Sequence, residues 1–287
     1  MMIRYLLLLL LVSLLLMPDA AAAGPAGCDS SFSVLTFNLR YNNPGDSLNA
    51  WPNRKERVAA LIRFHHADLC GFQEALKGQI DDLAKELPDF AWCGVGRDDG
   101  FSAGEFSPVF YRKGRFNLLR NGTFWLSPSP RIAGSKGWDA ALPRIVTWAL
   151  LLDRSTGKEC AFFNTHFDHQ GVTARRLSAQ LLLDSVRTRI GTLPVIVTGD
   201  FNSTDTSIVY RIMTGGELRD ALKISRVPHY GPMSTWNGFR EIEPGNRIDF
   251  IYVSDRVEVL THAIITDRWD GRFPSDHLPV IAGVRLN

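Results

Sequence analysis

Cysteine is scarce, and the shortage excludes a small disulfide scaffold: there are four in 287 residues. An excess of one charge is missing too. Thirty-two Lys+Arg against 30 Asp+Glu leave a net charge of +2, and the isoelectric point is near 8.4. That is far from the strongly basic balance of a dedicated nucleic-acid coat. Glycine (24) and proline (15) show no collagen-like excess. No repeat, charge block or low-complexity linker follows residue 32. With 45% apolar and 22% charged residues, the chain is also too apolar and too nearly neutral to stay disordered. A globular protein long enough for a large core remains.

The single long apolar run lies at the start. Arg4 precedes Leu6 to Leu11, Val12 and Leu14 to Leu16, and Ala20 to Ala23 follow. A short positive start, an apolar stretch and a small-residue site form a signal peptide. The stretch is short of the roughly 20 residues that a bilayer span needs. Residues 1–23 are therefore expected to be a cleaved leader, 24–32 a short linker and 33–287 one domain. This organisation implies an exported protein, periplasmic or secreted, and we expect a monomer with no stable membrane insertion. In an oxidising compartment Cys70, Cys93 and Cys160 pair if their strands are neighbours, or stay as buried thiols.

The pattern predicts strands at 33–37, 68–73, 90–95, 107–112 and 124–126, and a hairpin of 145–152 with 159–166 around Ser155-Thr156-Gly157. Further strands are expected at 194–198, 247–253, 257–266 and 278–285. Helical spacing marks 54–66, 78–87, 173–189 and 206–213. Residues 39–53 read as a loop, and 127–143 as a long loop of the kind that is often functional. Hairpins mixed with helical crossovers predict both antiparallel and parallel pairing. The expected fold is a four-layer α/β (α+β) sandwich, two packed mixed β-sheets with outer helices.

Polar residues at strand ends carry the chemical signal. Asp200 leaves an apolar strand in Thr198-Gly199-Asp200-Phe201-Asn202, and in an extended chain Asp200 and Asn202 share a face. Such a pair orients a water and holds a phosphoryl oxygen, or simply forms an Asx turn. In Ser275-Asp276-His277, a histidine beside an acid donates to a phosphoryl oxygen, helps bind a metal, or sits in a solvated loop. Asn38, Glu74, His166 and Asp249 are four more polar groups at or within apolar strands, a costly placement unless they are paired.

Taken in order, Thr-Phe-Asn38-Leu-Arg, Gly-Phe-Gln-Glu74, Asn-Thr-His166-Phe-Asp, Gly-Asp200-Phe-Asn202, Arg-Ile-Asp249-Phe-Ile and Ser-Asp276-His277 resemble the endonuclease/exonuclease/phosphatase superfamily, in its exported bacterial branch. The resemblance runs from about Ser33 to Asn287. It implies two packed sheets with outer helices, and phosphoester hydrolysis with Mg²⁺ or Mn²⁺. It implies metal contacts from Asn38, Glu74 and Asp276. Asp200 would orient or deprotonate the attacking water, and Asn202 and His166 would bind phosphoryl oxygens. His277 would stabilise the developing charge, with Asp249 fixing its tautomer. One departure stands out: where some relatives carry an acid close to the metal, this chain has Arg40, which meets substrate phosphate or pairs with an acid.

Other residues keep two readings. Arg144 binds phosphate or makes an ion pair. Asp168, followed by His169, lines the mouth of the site or caps the next helix. Trp236 stacks on a base or sugar, or plugs the core; Trp138, in the long loop, is a candidate substrate wall. His166-x-Asp168-His169 looks like part of a dinuclear zinc motif, but Asn164 stands where that motif needs a histidine. The expected activity is that of an exported metal-dependent phosphodiesterase, with nuclease or 3′–5′ exonuclease action as one form of it. The small net charge weakens the long-nucleic-acid form. The alternatives are action on a sugar phosphate, nucleotide or lipid head group, and a catalytically silent binding protein.

Overall fold

A computed structural model of the chain describes residues 30–287. The expected leader, Cys28 and most of the expected linker lie outside them. The first strand, β1 (Ser31–Asn38), begins inside the span expected to be linker.

Alternation along β1 explains the layers. Phe32 and Val34 join one apolar cluster, while Leu35 and Phe37 join another on the opposite face. Period two then places Thr36 and Asn38 on the face of Phe32. The same parity holds in β8 (Val195–Asp200), where Ile196 is on the inner face and Val195 and Val197 on the outer. It holds again in β7 (Lys158–His166) and β10 (Asp249–Ser254).

Two six-stranded mixed sheets result. The first runs β11-β12-β1-β2-β4-β3, with β2 (Leu69–Gln73), β3 (Phe90–Cys93), β4 (Val109–Arg112), β11 (Val257–Ile264) and β12 (Val280–Leu286). The second runs β5-β6-β7-β8-β10-β9, with β5 (Phe116–Trp125), β6 (Ile145–Asp153) and β9 (Leu218–Asp220). The parallel pairs are β1 with β2 and β7 with β8. They are crossed over by α1 (Lys55–Phe64) and α3 (Val172–Ile190). The outer apolar face of the first sheet packs on α1 and α2 (Lys77–Glu86), and that of the second on α3 and α4 (Ile208–Thr214). The inner faces pack on each other. This is the expected four-layer sandwich.

Local expectations are refined, and the buried-thiol reading of the cysteines holds. The strand expected at 124–126 is the end of the ten-residue β5. Most of β5 is a polar, exposed edge with a register shift between Leu118 and Arg120, so it lacks the apolar signal of a buried strand. The short β9 and α5 (Ala221–Ile224) were too brief to read. Cys70, Cys93 and Cys160 are free thiols. Cys70 faces the helices and Cys93 the other sheet, with β4 between their strands, so they do not meet. Among the described residues, no helix is long and apolar enough to cross a membrane.

Candidate active site

The strand parity that builds the core also builds the site. Moving along the inner faces, the apolar layer gives way to a polar one. Gln73 Nε2 donates to Thr36 Oγ1 (3.1 Å) and Asn164 Oδ1 (2.6 Å), and Asn164 Nδ2 donates to the carbonyls of Phe72 (2.7 Å) and Pro108 (2.9 Å). One step further along β1, β7 and β8 come Asn38, His166 and Asp200. Asp249 opens β10 directly opposite Asp200. β12 runs antiparallel to β1, so residues 275–279, just before it, arrive at this same end.

Asn38 joins the two sheets: its Nδ2 donates to Glu74 Oε1 (3.1 Å) and to Asp200 Oδ2 (3.0 Å). Its Oδ1 accepts from the Arg40 amide (2.9 Å). Glu74 lies one residue beyond β2 with φ 59°, a left-handed turn that aims its carboxylate back into the cleft. The Tyr41 amide donates to its other oxygen, at 3.1 Å.

Asp200 is buried, and its Oδ1 accepts from the Asn202 amide at 2.9 Å. Burial and the nearby Asp249 push its carboxyl well above the ordinary carboxylate range, against the pull of His277. His277 Nδ1 lies 2.8 Å from Asp249 Oδ2, and its Nε2 lies 3.7 Å from Asp200 Oδ2. Burial opposes its charge, but Asp249 and Asp200 outweigh burial and raise its pKa. The imidazolium therefore keeps Nδ1–H on Asp249 and turns Nε2–H toward the cleft. Trp236 packs edge-on against this ring at 4.9 Å.

Glu74, Asp200, Trp236 and His277 line a cleft of 430 Å³ that also includes Arg40, Tyr41, Glu105, Arg144 and His169. Arg144 is 4% exposed. Its Nη2 meets His169 Nδ1 at 3.0 Å and its Nε meets Asp168 Oδ2 at 3.4 Å, while Nη1 has no hydrogen-bond partner. Glu105 accepts from Arg97 Nη1 (2.6 Å) and lies 3.9 Å from His166 Nδ1.

The structure gives several of the expected site residues specific partners. Asn202 Nδ2 donates to His166 Nε2 and to the Phe167 carbonyl, both at 3.0 Å, so these two side chains engage each other while both line the cleft. Nε2 accepting there leaves the His166 proton on Nδ1, toward Glu105; burial, with Arg144 and Arg97, keeps the ring neutral. Asp168 is not among the residues that line the cleft. It is 1% exposed and accepts from the amides of Ala141, Leu142, Gln170 and Gly171, which clamps the long loop to the start of α3. Trp138 is 37% exposed and is not part of the cleft lining. Asn164 is absorbed in the polar layer, which leaves the dinuclear zinc motif without its third histidine. Arg40 pairs with Asp46 and reaches Asp276. Sequence reasoning missed Glu105, Arg97 and Tyr41; their one signal is a charged or aromatic residue beside an apolar strand, which is too common to single out.

The acids around Glu74 suit a hard divalent cation. Asp276 and Glu105 both have raised pKa values, mainly from burial and in part from the charge of Glu74. Carboxylates crowded like this are relieved by a cation with oxygen ligands. Asp200, Asp249 and His277 also converge, with ligand atoms within 4.8 Å of one another. A protonated imidazole has no free lone pair, however, so that trio is a poorer metal site than Glu74 and its neighbours.

Comparison with known proteins agrees with this fold. The profile of the endonuclease/exonuclease/phosphatase family matches residues 35–277. The chain is similar to an endonuclease/exonuclease/phosphatase from Bacteroides vulgatus at 42% identity and a TM-score of 0.86, covering 90% of this chain and 99% of that one. It is similar to a mannosyl-6-phosphatase from Bacteroides thetaiotaomicron at 36% identity and a TM-score of 0.84, covering 88% and 99%. An uncharacterised protein of Acanthamoeba polyphaga mimivirus is 28% identical over 184 residues, 60% of this chain and 67% of that protein.

Proposed function

The chain belongs to the endonuclease/exonuclease/phosphatase family, and from that premise we propose that it hydrolyses small phosphomonoesters of the sugar-phosphate class after export. At the coarser level it is a phosphoester hydrolase of a family whose members depend on a divalent metal. The proposal moves from the diester expectation to a monoester.

One observation carries that move: the Arg144 guanidinium stands buried in the cleft wall, where Nη1 makes no hydrogen bond and only a 4.0 Å ion pair with Glu105 Oε2. A buried cation with an open donor wants an anion. A monoester dianion supplies one more negative charge than a diester and no second ester group to fit beside Arg144. The 430 Å³ cleft has the size of a small-molecule pocket. The sugar phosphatase among the similar proteins supports the same class. Export rests on the leader-like start of the sequence.

Asp200 takes the proton of the attacking water. Its raised pKa makes it a stronger base than an ordinary carboxylate while Asn38 and the Asn202 amide hold its direction. His277, charged and fixed by Asp249, offers Nε2–H to a phosphoryl oxygen, and Arg144 Nη1 offers a second donor. His166 and Asn202 hold each other, and so shape the wall between Asp200 and Glu105. Glu74, with Asp276 alongside, would hold a divalent cation, whose charge would neutralise that of the phosphoryl and leaving oxygens.

The test compares mannose 6-phosphate, glucose 6-phosphate, AMP, bis-p-nitrophenyl phosphate and single-stranded DNA with Mg²⁺, Mn²⁺ or EDTA. We expect kcat/KM on the best monoester to exceed that on the diesters at least tenfold, and Arg144→Ala to raise KM for that monoester. Faster cleavage of a diester or of DNA would overturn the monoester assignment.

A further inference from the structure

Two polar groups of the cleft wall have no part in the phosphate chemistry above. His169 is one. Arg144 Nη2 meets its Nδ1 at 3.0 Å. A guanidinium only donates, so Nδ1 accepts and the ring hydrogen sits on Nε2, away from Arg144. The residue is exposed and lines the cleft. Its backbone is held in place: Asp168 Oδ1 accepts from the Gln170 and Gly171 amides (3.0 and 2.7 Å), and Arg175 Nη1 donates to the Asp168 carbonyl at 2.9 Å.

Glu105 is the other. Among the described residues its carboxylate meets its partners through Oε2: Arg97 Nη1 at 2.6 Å, His166 Nδ1 at 3.9 Å and Arg144 Nη1 at 4.0 Å. Oε1 is left for a ligand in the cleft that Glu105 lines. The wall behind Oε2 is buried and rich in donors. Arg97 Nε, Arg144 Nη1 and His166 Nδ1 make no hydrogen bond, and these three residues are 4–7% exposed. Their surplus of positive charge holds the carboxylate where it stands.

Glu105 and His169 flank one guanidinium and need opposite partners. The carboxylate needs a donor; a phosphoryl oxygen of a dianion offers none and is repelled by it. His169 Nε2–H needs an acceptor. A hydroxyl group is both donor and acceptor, and a ring bearing several hydroxyls serves both residues at once.

Resting on the phosphomonoesterase reading above, we infer that Glu105 and His169 form a hydroxyl-reading subsite beside the phosphate position, and that the leaving group is a polyhydroxylated ring. Arg144 positions His169 in this subsite by fixing its tautomer.

Steady-state kinetics at saturating Mg²⁺ test this on two monoesters. One is mannose 6-phosphate or glucose 6-phosphate, whichever is cleaved faster. The other is p-nitrophenyl phosphate, whose leaving group has no further hydroxyl. The quantity read is the ratio of kcat/KM on the sugar ester to kcat/KM on the aryl ester. His169→Ala and Glu105→Gln should each lower that ratio about tenfold or more, mainly by raising KM for the sugar ester. Circular dichroism checks that each variant is folded. An unchanged ratio in either folded variant overturns the inference and leaves the phosphomonoesterase reading standing. If Glu105→Gln does not fold, His169→Ala decides alone, since that side chain is exposed. A wild type that cleaves the aryl ester and no sugar ester also overturns the subsite. A wild type that cleaves neither removes the reading on which the subsite rests.

Discussion

Asp200 and His277 show how a few ångströms of environment assign opposite tasks to two buried groups. Asp200 lies close to Asp249, out of water, and resists ionisation. His277 lies between Asp249 and Asp200 and resists losing its proton. The pH dependence follows in sign. Asp200 must be ionised to accept a proton, and its pKa is raised. Activity is therefore expected to fall as pH drops through values above the ordinary carboxylate range, and the acid limb of kcat/KM should lie above pH 4.5. Asp200→Asn should lower kcat by about 100-fold or more with the fold retained. A limb at ordinary carboxylate pH, or an active Asp200→Asn enzyme, would remove Asp200 from the base role. The polar residues that sequence reasoning chose were legible because a strand end seldom carries an uncapped acid. Glu105 was not legible, because it gains meaning only from Arg97 and His166, 8 and 61 positions away in the chain.

At the scale of elements, β2 and β8 approach so closely that one position tolerates no side chain. A Cβ on Gly71 would lie 2.2 Å from Thr198 Oγ1 and 2.5 Å from Asn164 Oδ1. Those two atoms are hydrogen-bonded to each other at 3.0 Å within the polar layer beneath the site. Gly71→Ala should destabilise by about 1–3 kcal/mol, the usual cost of overpacking. Denaturant unfolding measures it, and an unchanged midpoint would mean that the layer yields freely. A second element-scale feature ties the segment before Trp236 to β11. His229 Nε2 donates to the Pro232 carbonyl, so its Nδ1 accepts from His262 Nδ1 at 2.9 Å. Burial, together with His229, lowers the His262 pKa to about 3. The unfolded chain takes up a proton near pH 6.5 that the folded one refuses. This group therefore leaves stability intact above pH 6.5 and erodes it as pH falls toward 3, by up to about 1.4 kcal/mol per pH unit. His262→Gln should flatten that slope in thermal melts taken across the range. Sequence patterning read α1, α3 and the central strands because their periodicity is strong. It read β5 poorly, because an exposed edge strand has no apolar face to announce it.

Across the whole molecule, the site is the place where two sheets end together. Glu74 and Asp276 belong to the first sheet's end, and His166, Asp200 and Asp249 to the second's. An ion held on Glu74 needs the folded arrangement of that end and has no such site in the unfolded chain. Mn²⁺ at about 100 times its Kd should therefore stabilise the fold by about 2.7 kcal/mol. That is seen as a rise of several degrees in Tm, reversed by EDTA and lost in Glu74→Gln. A Tm indifferent to Mn²⁺ would place the ion elsewhere. The sequence by itself determined the layered plan and the set of polar residues at strand ends, because period-two alternation and the cost of burying polar groups act locally. Only the tertiary structure decided what each of those residues faces. Arg40 is fixed by Asp46, Arg54 and Gln79, Asp168 is used on backbone amides, and Asn202 is hydrogen-bonded to His166. Those outcomes depend on distances between segments far apart in the chain, which no local pattern records.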